Sequence, residues 1–212
     1  MADDGIGKSF MRLLVEDALA ARERRMASDT ALHRREEIRA TFAAIEGITW
    51  IYREHVRDAA RVMGVLTPFA DLALRERTFA VTDKGDIVEQ VRFVTLPTII
   101  RLTTKQARLV APSIELDLSQ PGWSQLRQSI EARNRVTHPK TSDDFAIDDA
   151  DLNAAEAGLL WLMKLVDRAT IAIQAAQREY NRIAREVIAD LAAGDDQTWH
   201  AYRQASSIEQ DD

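Results

Sequence analysis

The sequence predicts an all-α protein, on three observations. From Leu152 the residues Leu159, Val166, Ile173, Tyr180 and Val187 follow at intervals of seven, with small or apolar Ala155, Leu162, Ala169, Ala176 and Ile183 three positions after each of the first five. Most of the remaining chain carries apolar residues at helical spacing between capping residues. Only one stretch, Thr78 to Val94, has the β-branched character of strands.

In order, Phe10, Leu13, Leu14 and Ala18 mark a first helix from Lys8 to Met26. Asp29 and Thr30 are positioned to cap a second, whose apolar face runs through Ile38, Phe42, Ile45, Thr49, Tyr52, Val56 and Met63 to a stop at Gly64. Thr67-Pro68 supplies an N-cap and a first-turn proline for a third, reaching about Arg77. Phe79 and Val81, then Asp83-Lys84-Gly85-Asp86, then Val88 and Val91 predict a hairpin. Pro97 restarts helix and Pro112 ends it; another runs from Trp123 to about Thr137, because Pro139 disfavours helical backbone at His138. Asp148 or Asp149 caps the long last helix, which closes at Gly194. Its seven-residue seam either packs within the chain's own bundle or also pairs across a dimer axis. The expected organisation is a single all-α domain over 1–194 followed by a polar tail, 195–212.

The 212 residues are 46% hydrophobic and 29% charged, a balance that folds without staples and is far from the composition of disorder. The absence of cysteine removes disulfides, thiolate zinc sites and cysteine nucleophiles. No metal or cofactor is expected: the histidines His33, His55, His138 and His200 are scattered, and no dinucleotide or hydrolase fingerprint is present. Gly5-Ile6-Gly7-Lys8-Ser9 ends like a phosphate-binding loop but has Ala2 where the first glycine is required. The aspartates at 143, 144, 148, 149 and 151 read as a solvated run that caps a helix. Met1–Gly7 has two aspartates and two glycines where a signal peptide carries basic and then apolar residues, and the longest apolar run, around Gly158–Met163, is too short to span a bilayer. A cytoplasmic protein without membrane contact is the expectation. Its formal charge of -6 excludes coating nucleic acid through a general positive field, so a local patch must carry any such binding.

That patch lies between Trp123 and Lys140, where Arg127, Arg133, Arg135 and Lys140 oppose the single acid Glu131. Within it, Arg133 and His138 are separated by four residues. Five steps along a regular helix would leave the two side chains about 140° apart. By breaking the helix, Pro139 frees the imidazole to swing toward Arg133, or toward a second copy of the motif across a two-fold axis. An imidazole moves protons near neutrality and a guanidinium grips phosphate oxygens, a pair suited to phosphoryl transfer. In RNA the neighbouring 2'-hydroxyl supplies the nucleophile, so no metal is needed and DNA would be spared.

Arg133-Asn134-x-x-x-His138 resembles the R-N-x-x-x-H signature of HEPN domains (higher eukaryotes and prokaryotes nucleotide-binding). Asp117-Leu-Ser-Gln-Pro-Gly-Trp123, Leu74-Arg-Glu-Arg-Thr-Phe-Ala-Val-Thr-Asp-Lys-Gly-Asp86 and Asp149-x-Asp-Leu152 to Trp161-Leu162 are similar to one bacterial branch, so the likeness covers about 35–170. The resemblance implies an up-and-down bundle of four to five helices, here with a small β-hairpin insertion and a long C-terminal helix, forming a homodimer whose paired motifs share one cleft. It further implies a metal-independent endoribonuclease that leaves 2',3'-cyclic phosphate and 5'-hydroxyl ends and serves as a toxin or anti-phage defence effector, with RNA and an antitoxin or defence-system protein as partners. By the same resemblance Arg133 stabilises the phosphorane, His138 acts as general acid or base and Asn134 holds the local geometry, while Arg127, Arg135 and Lys140 would bind RNA. Lys140 stands where toxins paired with nucleotidyltransferase antitoxins commonly carry a tyrosine. Two other readings stand beside this one: a non-catalytic HEPN-like nucleotide- or RNA-binding or dimerisation module, and a helical scaffold with no nucleic-acid role.

Overall fold

The computed structural model describes residues 4–208, with side chains for residues 10–205. Met1–Asp3, where the segment expected to lack a signal peptide begins, and residues 209–212 of the expected tail lie outside the described residues. The elements are α1 (Asp4–Ala27), α2 (Ala31–Val62), α3 (Pro68–Leu74), β1 (Arg77–Val81), β2 (Ile87–Val91), α4 (Leu96–Val110), α5 (Pro121–Thr137), α6 (Asp149–Ala193) and α7 (Asp196–Ile208). The architecture is therefore all-α with one hairpin, as the sequence predicts. No helix among the described residues is long and apolar enough to cross a membrane.

Local chemistry sets the boundaries. The Thr30 hydroxyl accepts from the His33 N–H at 3.2 Å to open α2, and Thr67 does the same for Ala70 to open α3. Asp148 accepts from the Asp151 N–H at 2.8 Å while Asp151 accepts in return from the Asp148 N–H, a reciprocal cap on α6. At its far end Gly194 takes a φ of 78°, the left-handed conformation that glycine adopts without steric cost. Because α1 is helical from Asp4, the backbone of Gly5–Ser9 forms helix and no phosphate-cradling loop.

One expected helix end is corrected, and a helix forms within the expected tail. The helix predicted to reach Arg77 stops at Leu74, because Glu76, at a φ of 55°, turns the chain into β1. Glu76 then ties the hairpin down: its carbonyl accepts from the Arg92 N–H at 2.8 Å, and its carboxylate accepts from the Val94 N–H at 2.9 Å and from Arg53 at 2.8 Å. The segment expected as a polar tail from 195 is helical over Asp196–Ile208. The Asp195 carboxylate accepts from the Thr198 N–H at 2.8 Å, and the Trp199 indole donates to the Leu191 carbonyl at 3.0 Å, so capping and one aromatic anchor hold a helix of polar composition.

Cross-helix contacts give the directions. Phe10 meets Trp50 edge-on and Arg25 pairs with Glu37, so α1 and α2 run antiparallel. Trp123 packs against Trp161 with the two rings tilted and Arg135 pairs with Asp151, so α5 and α6 do likewise. Arg34, near the start of α2, reaches Asp149 at the start of α6, so these two start at the same end of the bundle. The core gathers Ile38, Ile45, Ile48 and Val56 of α2, Ile100 and Ala107 of α4, Leu126 of α5, and Leu162, Ala169 and Ile173 of α6. Tyr52 lies wholly within it, its hydroxyl donating to Thr104 at 3.2 Å, and burial pushes the phenol up to about 12.

At about 1.5 Å per residue, the 45 residues of α6 span roughly 67 Å. Its seam is buried at Leu152, Ala155, Leu162, Val166, Ala169 and Ile173, whereas Tyr180, Ile183 and Val187 are exposed. The first part of the seven-residue repeat thus packs within the chain, and the same stripe continues into solvent beyond it.

Candidate functional site

The end of α5 is anchored by buried Ala132 and Val136, which orient the residues between them. Arg133 faces α2: its Nη2 donates to Glu46 Oε1 at 2.6 Å, and its Nη1 to Asn134 Oδ1 at 3.2 Å. Arg135, two positions on and therefore on the opposite side of the helix, donates to Asp151 at 2.6 Å. The last turn closes with the Thr137 hydroxyl on the Arg133 carbonyl at 2.7 Å and the His138 N–H on the Asn134 carbonyl at 2.9 Å. Arg39 of α2 donates to the Val136 carbonyl at 3.2 Å, placing a cation at the negative end of the helix.

His138 leaves the helix at a φ of -128° and a ψ of 58°, outside the helical region that a following proline disfavours. It is exposed, and among the described residues its imidazole makes no hydrogen bond, to Arg133 or to any other group. The chain after Pro139 is held by Asp144, whose carboxylate accepts from the Lys140 N–H at 2.7 Å and the Thr141 N–H at 2.9 Å. Thr141 and Asp144 form a capping box on a single turn of 3-10 helix, Ser142–Phe145, within the acidic loop. Phe145 lies beneath the Arg35 guanidinium, 5.2 Å from it, tying that loop to α2.

The backbone N–H groups of Lys140 and Thr141 hold the Asp144 carboxyl below its ordinary value. A carboxylate with a depressed folded pKa contributes stability above the usual carboxylate range, and loses it as pH falls through the depressed value. The Lys140 amide resonance is therefore expected to stay in place through the ordinary Asp range and to move only in stronger acid. A transition at about pH 3.9 would show that the bonds do not persist in solution.

The arrangement joins Arg133 with Asn134 and adds Glu46, which lies 87 residues away in sequence and which no spacing motif indicates. The four expected cations differ in their surroundings. Glu46 and Asp151 neutralise Arg133 and Arg135, while Arg127 and Lys140 are exposed and in no ion pair among the described residues. Among the described residues no three His, Asp or Glu side chains gather to hold a metal ion. What the end of α5 offers is an exposed imidazole, a guanidinium held in place by a carboxylate, and helices behind both.

No protein-family model, curated protein or solved structure matches this chain.

Proposed function

We propose that this protein is a metal-independent endoribonuclease of HEPN type that cuts RNA by transesterification, with Arg133 and His138 as its catalytic residues. The observation that carries the reading is the placement of the pair: His138 is exposed just past the end of α5, while Arg133, one turn back, is fixed by Glu46 and Asn134. In the proposed reaction the 2'-oxygen attacks the adjacent phosphorus and the bond to the 5'-oxygen breaks. Arg133 stabilises charge on the phosphorane, and imidazole takes the 2'-hydroxyl proton or returns one to the 5'-oxygen. Two copies across a two-fold axis would supply one histidine for each transfer. A role as a toxin or anti-phage effector with a defence-system partner rests on the family resemblance, and a cytoplasmic setting on the absence of cysteine. With metal chelated, purified protein is expected to fragment RNA and leave DNA of matched sequence intact; equal cutting of both would refute the 2'-hydroxyl route.

Glu46 favours a second reading, a non-catalytic module that binds RNA or nucleotide or assembles with its own kind, because its carboxylate occupies the guanidinium that a phosphate would need. The two readings separate on Glu46→Gln. In an enzyme the substrate displaces this half-exposed carboxylate, and such pairs are worth about 0.2–1 kcal/mol. The variant is then expected to lower the KM for RNA by up to about fivefold with kcat retained. A variant that binds RNA more tightly while neither protein cleaves it would favour the module.

A further inference from the structure

We infer that the exposed face of α4, continued onto α6 by Arg168, is a second phosphate-recognising surface that holds single-stranded RNA away from the α5 terminus. The inference rests on the RNA reading above and extends it to the path of the substrate. Most arginines of α2 are committed to carboxylates, among them Arg53 to Glu76 and Arg57 to Glu54 and Asp71, and Arg75, just past the end of α3, pairs with Asp71. By contrast α4 contains no acidic residue, in a chain of net charge -6. Its solvent side presents Arg101, Lys105 and Arg108, spaced four and three residues apart, while Ile99, Ile100, Thr103, Thr104, Ala107 and Val110 fill the buried side.

Those spacings are rises of about 6 Å and 4.5 Å along one face, a repeat on the scale of neighbouring phosphates in a single strand. Arg101 stacks on the ring of Trp123, 5.1 Å from its centroid, which fixes that cation and marks where α4 meets the start of α5. Lys105 and Arg108 form no ion pair among the described residues. With Leu109 and Pro112 they line a shallow cleft of about 290 Å³. Beside it Ser113, Ile114, Leu165, Ala172 and Arg168 line a second cleft, in which Glu115 is the one acid. Cations along an apolar floor suit a chain that alternates phosphate with the flat faces of bases and sugars. From Trp123, α5 rises about 22 Å to His138, with Arg127 one turn along the way, so a strand lying on α4 has a route toward the catalytic end.

The test measures binding of a labelled oligouridylate to the full-length His138→Ala protein, which does not consume it, over a range of salt concentrations. The comparison protein adds Lys105→Gln, Arg108→Gln and Arg168→Gln, all at exposed positions. Removing three phosphate contacts is expected to weaken binding about tenfold near 0.1 M salt and to reduce the slope of log K against log salt by about 2. An unchanged slope, with or without weaker binding, would overturn the α4 surface and leave the α5 site standing. Failure of His138→Ala itself to bind the strand, while an acidic peptide binds in its place, would overturn the surface and its RNA reading together.

Discussion

His138→Ala is expected to lower the rate of RNA cleavage by about 10²–10⁴-fold, the usual contribution of a positioned general acid or base. The melting temperature should hardly move, because the imidazole is exposed and makes no hydrogen bond among the described residues. Arg133→Ala should reduce the rate on the scale seen when a donor to the developing oxyanion is removed, about 10²–10³-fold. It also releases Glu46, but that pair is half-exposed and worth about 1 kcal/mol or less, so folding survives. Rate assays beside thermal melts on the same preparations separate the two effects. Cleavage that falls only in proportion to lost folded protein would make both residues structural.

The largest effect on stability is expected at Gly158. Helices α5 and α6 approach so closely there that a Cβ would stand 2.8 Å from the Leu126 Cα and 3.1 Å from its Cβ. Alanine gains about 1 kcal/mol in helix propensity, but its methyl group meets backbone, which cannot rotate away. Overpacking of this kind costs roughly 1–3 kcal/mol per insertion, and valine adds two more methyl groups without the propensity gain. Gly158→Val should therefore destabilise the fold by about 3 kcal/mol or more in a denaturant titration. It should also abolish activity, because Leu126 lies on the helix that carries Arg133. Asn153→Ala, on the exposed side of the same helix, should change stability by less than about 0.5 kcal/mol. A Gly158→Val protein as stable as its parent would contradict so close an approach of the two helices.

These outcomes bear on how the sequence encodes the molecule. Capping and periodicity are local, and they located most helices: Thr30, Thr67, Asp148 and Gly194 act where the residue pattern places them. The 3-10 turn went unread, although Thr141-x-x-Asp144 carries a capping-box signal inside the run of aspartates. The helix α7 was hidden because its composition is that of an exposed helix, although Asp195 three residues before Thr198 is a capping signal. Glu46 was not legible at all. Its pairing with Arg133 depends on the register between α2 and α5, which tertiary packing sets and no spacing within either segment encodes. The cation face of α4 lay between these extremes: the absence of acids could be counted, but its exposure could not be known before the buried side was.

The most direct measurement of the central claim is the chemistry of the ends left by wild-type protein on RNA in the presence of a chelator. Attack by the 2'-hydroxyl predicts fragments with 2',3'-cyclic phosphate and 5'-hydroxyl ends, absent when His138→Ala is used. Fragments with 3'-hydroxyl and 5'-phosphate ends, or intact RNA after incubation with a folded dimer, would contradict it.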